Sequence, residues 1–366
     1  MAVDGSMALW CVHRAGQEEA RAELHFNYWR LAGDADFKKS NGAVVRDFIE
    51  VGILLFDPTR IDSVSIYVPW KLDRSDLMDC GPKFADPEIA QGIFNEYLTC
   101  NAGGPPGPKY VELRKSGKPF CRVHQFWQNG GMIDTNNLAI EEFSEGVIVT
   151  IARKALDECI VNMPVDCPAY FRLRFYVGTK HPSPFVRVIT PKDRFFQSSS
   201  ETIEYVDFRL NEARTLPDAI ESRMRTEQGE RKVVLSRVAF LTAVPVSAAM
   251  TVSSKVAHKT RLLEHEIWTK YVPSGIPPGM MVYHWRVDSS TPQGVVDFSA
   301  FVKLQIRRTG RKALILYLAI AFIFAIVGNL AAAGITSVLG REPDADGIQR
   351  RAEQGLAHRL TTRNDQ

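Results

Sequence analysis

Between Ala313 and Leu339 the chain reads ALILYLAIAFIFAIVGNLAAAGITSVL, a stretch without a single charge. Apart from Asn329, Thr336 and Ser337 it holds no strongly polar side chain. At about 1.5 Å of rise per residue, roughly twenty such residues span a hydrocarbon core of about 30 Å. A soluble helix of this length carries a polar stripe, and this one carries none. The pattern predicts a single-pass transmembrane helix with nearly all of the protein before it.

No other run in residues 1–312 is long enough to cross a bilayer. The start, MAVDGSMALWCVHRAGQ, has an acid at Asp4 and only the short apolar stretch Met7 to Val12, which is too brief for a signal-peptide core. The large N-terminal region is therefore expected to stay in the cytosol. Arg307, Arg308, Arg311 and Lys312 crowd the N-terminal flank of the span and agree with that orientation. The other flank mixes Arg341, Arg350 and Arg351 with Glu342, Asp344 and Asp346.

The residues before the span are enough for one large domain or two ordinary ones. Hydrophobic residues make up 45% and charged residues 24%, both globular values. A formal charge of +3 argues against a strongly basic surface of the kind that takes duplex nucleic acid. Six cysteines, Cys11, Cys80, Cys100, Cys121, Cys159 and Cys167, lie far apart without zinc-finger spacing, so no metal is expected. They read as small buried hydrophobes.

Strand signals dominate the rest. Ala22 to Leu31, Val44 to Phe56 and Ile61 to Trp70 are rich in branched and aromatic residues, with Asp57-Pro58 as the turn between the last two. Val111 to Arg114 and Phe120 to Trp127 flank Ser116-Gly117 as a further hairpin, and Gly146 to Ala155 reads as a strand. Tyr170 to Val177, Phe185 to Ile189, Ile203 to Leu210, Lys232 to Val246, Met280 to Val287 and Val295 to Ile306 complete the set. Helices are expected over Pro87 to Leu98, Pro217 to Arg225 and Lys259 to Tyr271, and a loop over Asn101 to Pro108. The fold class is α+β, strand-dominated, antiparallel and sandwich-like, with one C-terminal transmembrane helix. Candidate divisions are residues 1–165, residues 166–308 as a second β-rich domain or a continuation, 309–340 as basic linker and span, and 341–366 as a polar tail.

The last strand and the span are separated only by Arg307 to Lys312, a connection of roughly 20 Å at full extension. That tight join would let movement in the sheet reach the helix; the plainer reading is a basic linker that fixes topology. Within the span, Ala321, Ala325, Gly328 and Ala332 follow 4-3-4 spacing and form one stripe of small residues, with Asn329 at its edge. Such stripes let helix backbones approach closely, so a homo-oligomer in membrane lipid is expected.

For the soluble part, Tyr170-Phe-Arg172-Leu-Arg174-Phe-Tyr176 puts two guanidiniums and two aromatic rings on one strand face. Such a face makes a seat for a nucleotide or a phosphorylated ligand, and Arg209 is a further candidate for it. An ordinary salt-bridged sheet face is the plainer reading. Catalytic signatures are missing: there is no GxSxG, no Walker loop, no GxGxxG and no HExxH around His265. Neither a catalytic residue nor a cofactor is expected.

Together these features describe a non-enzymatic, membrane-anchored sensor or effector that oligomerises through its helix. Its concrete form would be a ligand-gated pore or membrane-disrupting effector in antiviral-type defence. A tethered enzyme with a dispersed site around His265, Glu266 and His284, or a passive scaffold, are the alternatives.

Overall fold

The computed structural model describes residues 6–17, 20–32, 45–104, 107, 109–143, 145–177, 183–189, 201–307 and 311–339. They fall into two units, a β-rich body that ends at Arg307 and the helix Arg311–Leu339.

The body is organised by a ten-stranded sheet. Along it lie Lys259–Leu262, Met280–Asp288, Val234–Pro245, Arg21–Trp29, Asp47–Leu55, Ala169–Val177, Lys118–His124, Tyr110–Lys115 and Thr99–Gly103, and Leu77–Asp79 also pairs with Ala169–Val177. All pairings are antiparallel except Val234–Pro245 with Arg21–Trp29 and Ala169–Val177 with Lys118–His124. Two four-stranded sheets and the short hairpin Gln128–Asn129 with Met132–Ile133 complete the body. One sheet runs Ala8–His13, Ile61–Val68, Gly146–Ile151, Leu138–Phe143; the other runs Val186–Ile189, Glu201–Leu210, Phe298–Arg307, Ala248–Ser253.

All three sheets share one core. Every second residue of Arg21–Trp29 (Ala22, Leu24, Phe26, Tyr28) turns into it, as strand alternation requires. Phe26 and Phe240 from the large sheet meet Phe208 from the second small sheet, with ring centroids 4.9 and 4.4 Å apart. A charged clamp joins these two sheets as well. Arg30 Nη1 donates to Asp47 at 2.5 Å, while its Nε and Nη2 each donate to Glu204 at 3.0 Å.

The α+β, strand-dominated class holds, and among the described residues a single helix is long and apolar enough to cross a membrane, Leu318–Ser337. Strands on both sides of the candidate division at residue 165 pair directly: Asp47–Leu55 runs antiparallel to Ala169–Val177 over nine residue pairs. Local differences have local causes. The helix at Pro87 ends at Phe94, short of the expected Leu98, because Asn95 turns left-handed at φ 53°. The stretch expected as one helix from Lys259 to Tyr271 splits into a strand, Lys259–Leu262, and a helix, His265–Tyr271, because the sheet edge offers Met280–Asp288 as a partner. Gly146–Ile151 is followed by the helix Arg153–Ile160, and part of the expected loop pairs as Thr99–Gly103. At the Ser116-Gly117 turn both residues have positive φ, 51° and 79°, as a tight hairpin needs.

The apolar helix satisfies its own Thr and Ser hydroxyls. The Thr336 hydroxyl donates to Ala332 O at 2.9 Å and Ser337 to Gly334 O at 2.8 Å, so neither opposes burial in lipid. The Asn329 amide makes no side-chain hydrogen bond among the described residues. Arg307 closes the last strand, while Arg311 and Lys312 begin the helix. Arg308 and the tail 341–366 lie outside the described residues.

Candidate functional site: one sheet face, half sealed and half open

The face of the large sheet that turns away from the core carries the chemistry, and its register sets the neighbours. In one row Lys259, His284, Leu241, Asn27, Glu50 and Arg174 stand side by side across six strands. The next row places Arg286, Ala239, His25, Gly52 and Arg172 in line. Two short helices cover one end of these rows and leave the other open.

At the covered end the two arginines share one carboxylate. Arg172 Nη2 donates to Glu50 Oε2 at 2.5 Å, and Arg174 Nε donates to Glu50 Oε1 at 2.8 Å. All three side chains are 0% exposed. Tyr271, from the helix His265–Tyr271, closes the lid: its hydroxyl accepts from Arg172 Nε at 3.1 Å. Arg174 lies over the Phe48 and Tyr271 rings, 4.2 and 4.9 Å from their centroids, which softens the cost of its burial. Burial alone would push the Glu50 carboxyl up, but Arg172 and Arg174 outweigh it and hold the carboxyl below its ordinary value. Gly52 sits beneath; a Cβ there would lie 2.0 Å from the Tyr170 hydroxyl, the atom that accepts from Arg172 Nη1.

At the open end lies a cleft of about 490 Å³, within the size range of small-molecule sites. Its floor is Glu23, His25, Asn27 and Trp29 from one strand, Arg237, Ala239 and Leu241 from the next, and Val282, His284 and Arg286 from the third. The edge strand supplies Lys259 and Arg261, and the end of Pro87–Phe94 supplies Ile93 and Phe94 opposite. That helix approaches closely because residue 92 is glycine; a Cβ there would meet the buried Trp268 ring at 2.8 Å.

Several cations around the cleft are already committed. Arg237 donates to Asp288 at 2.5 Å and to Glu23 at 3.2 Å, Arg286 pairs with Asp288 at 2.8 Å, and Arg261 pairs with Glu264. The Lys259 ammonium and the His25, His258 and His284 rings form no hydrogen bond among the described side chains; His258 and His284 lie 5.7 Å apart edge to face. His25 is held neutral, its pKa pushed down to about 3 by burial and then by Arg172, Arg237 and His284. His284 is pushed down to about 4 by burial and then by His258, Lys259, Arg286 and Arg261. Asn27 links the two ends: with its amide oxygen turned toward Arg172 it accepts from Nη2 at 2.6 Å and donates to Phe26 O at 3.0 Å.

The strand alternation expected for Tyr170, Arg172, Arg174 and Tyr176 is present, but the protein's own carboxylate and tyrosines occupy the guanidiniums, and the helices seal them from solvent. Tyr176 instead stacks under Arg46, 4.5 Å from its ring centroid. Arg209 stands on another sheet, paired with Asp207 at 2.6 Å and Glu212 at 3.4 Å. Of His265, Glu266 and His284, only His284 lines the cleft. The residues that sequence reasoning missed, His25 above all, do leave a signal. Glu23, His25 and Asn27 alternate with a fully apolar face, so an interior strand presents polar groups on its outer side. Among the described residues no three His, Cys, Asp or Glu side chains gather as a metal site.

Set against models of known protein families and against curated proteins, the chain matches none.

Proposed function

We propose that this chain is a membrane-anchored, non-enzymatic receptor: its β-rich body takes a ligand in the open cleft, and its helix associates with copies of itself in the bilayer. The observation that carries this reading is the succession of the cleft-bearing body and a charge-free span, with three residues between the strand end Arg307 and the helix start Arg311. Further support comes from the route out of the cleft. Trp29 lines the cleft, the adjacent Arg30 grips Glu204, and Glu204 faces Leu304 on the last strand before the span. The small-residue stripe Ala321, Ala325, Gly328 and Ala332, with Asn329 beside it, supports close helix association. In this reading the body is cytosolic and the assembled helices respond to ligand by altering the membrane.

The test is the mass of full-length protein in nanodiscs, followed by ion flux in liposomes. A defined oligomer that collapses in the Ala325→Leu, Gly328→Leu double variant supports the reading; a monomer unaffected by it overturns it. Protease protection in sealed vesicles checks the orientation.

The gathering of His25, His258 and His284 in one cleft favours a second reading, a tethered enzyme. There His284→Gln abolishes a measured turnover; in the receptor reading no turnover exists to lose.

A further inference from the structure

We propose that the cleft takes a phosphorylated ligand with an apolar or aromatic body, its phosphate at Lys259 and His284 and its body against Phe94 and Phe120. This rests on the reading of the cleft as the ligand site and names the ligand's chemistry.

Three observations converge. First, the polar end offers donors that the protein leaves unused. Lys259 and His284 are direct register partners, and neither side chain has a hydrogen-bond or ion-pair partner among the described residues. An ammonium with a vacant imidazole beside it suits the several acceptor oxygens of a phosphate, which can accept from both at once. The acid in the floor, Glu23, is engaged by Arg237 at 3.2 Å and forms no ion pair with Lys259. Second, the far wall is apolar and aromatic: Phe94 and Phe120 meet edge to face with centroids 5.2 Å apart, and both remain partly exposed. From Lys259 to this wall the face crosses several strands at about 4.8 Å each, so the occupant is elongated with chemically different ends. Third, the floor between the ends is low because residue 239 is alanine, flanked in register by Arg286 and His25. The long side chains flank a trough instead of filling it. A phosphate with a compact body matches the ~490 Å³ available.

A free nucleotide and a phosphorylated lipid share this chemistry, and titration calorimetry on full-length protein in neutral-lipid nanodiscs separates them. The probes are pyrophosphate, ATP, adenosine and dioctanoyl phosphatidylinositol phosphate below its micelle concentration. We expect ATP or the short lipid to bind at least tenfold more tightly than pyrophosphate, and adenosine to bind far more weakly than ATP. Lys259→Glu, on an exposed edge strand, weakens every phosphorylated probe at least tenfold without moving the unfolding midpoint. Ala239→Phe, which fills the trough, weakens only the probes that carry a body. No binding by any phosphorylated probe, or affinities unchanged by Lys259→Glu, overturns the inference. Oligomer mass is read in the same nanodiscs: lost binding with an intact oligomer counts against this inference alone, while intact binding by a monomer supports it and counts against helix association.

Discussion

The sealed and open ends of one sheet face differ in what covers them more than in what they are made of. Both lie in the same two register rows, and both concentrate nitrogen-bearing side chains. At the sealed end two guanidiniums answer to Glu50, Tyr170 and Tyr271, and two helices exclude water. At the open end Lys259 and His284 line the cleft without a hydrogen-bond partner among the described residues, while His25 packs against Phe94 and Tyr170 with Glu23 4.0 Å away. A buried charge must be paired where it sits, so the first arrangement is structural. An unpaired donor at the rim of a cleft is free to take a partner from outside, so the second is available for binding. Cationic residues on a strand face therefore say little about a ligand until their cover is known.

The largest break in this contrast is Glu50→Gln. It leaves two guanidiniums buried without a countercharge and is expected to cost about 3–5 kcal/mol, read from denaturant unfolding. Gly52→Ala comes next. Its Cβ has no room beside the Tyr170 hydroxyl, and the overpacking is expected to cost about 1–3 kcal/mol. Tyr271→Phe removes one hydroxyl acceptor from Arg172 while keeping the ring over Arg174, an expected loss of about 1 kcal/mol. Lys259→Glu at the open end should stay within about 0.5 kcal/mol, since its side chain has no partner to lose.

Acid sharpens the same contrast without mutation. His25 and His284 titrate at about 3 and about 4 when folded, against an ordinary value of 6.5. Between those limits the unfolded chain binds protons that the folded cleft refuses, so stability falls as pH drops below about 6.5. Glu50 acts lower: its carboxyl is depressed from 4.5, so its contribution is present above that value and is lost as pH falls through the folded one. A denaturation series from pH 7 to 3 should therefore decline early in wild type. In His284→Gln the early part of that decline should be shallower, with the later part unchanged.

Much of the fold could be read along the chain. Arg21–Trp29 alternates polar and apolar residues from Arg21 to Tyr28, and the Ser116-Gly117 turn declares its hairpin. Lys259–Leu262 could not be read this way. Its four residues are all exposed, and it is a strand only because Met280–Asp288 presents an open edge. The site divided along the same line. The face holding Tyr170, Arg172, Arg174 and Tyr176 was legible from alternation. Its burial was not, because Glu50 and Tyr271 lie 122 and 99 residues from Arg172 in sequence.

By itself the sequence determined the apolar span, since length and absence of charge decide whether a helix suits a bilayer. It also determined the strand-rich class, through alternation of period two. Only the tertiary structure decided which polar face is sealed and which is open. That depends on register between strands distant in sequence, and on where two short helices come to rest. Periodicity along a chain carries information about faces, whereas occlusion of a face is a property of its neighbours.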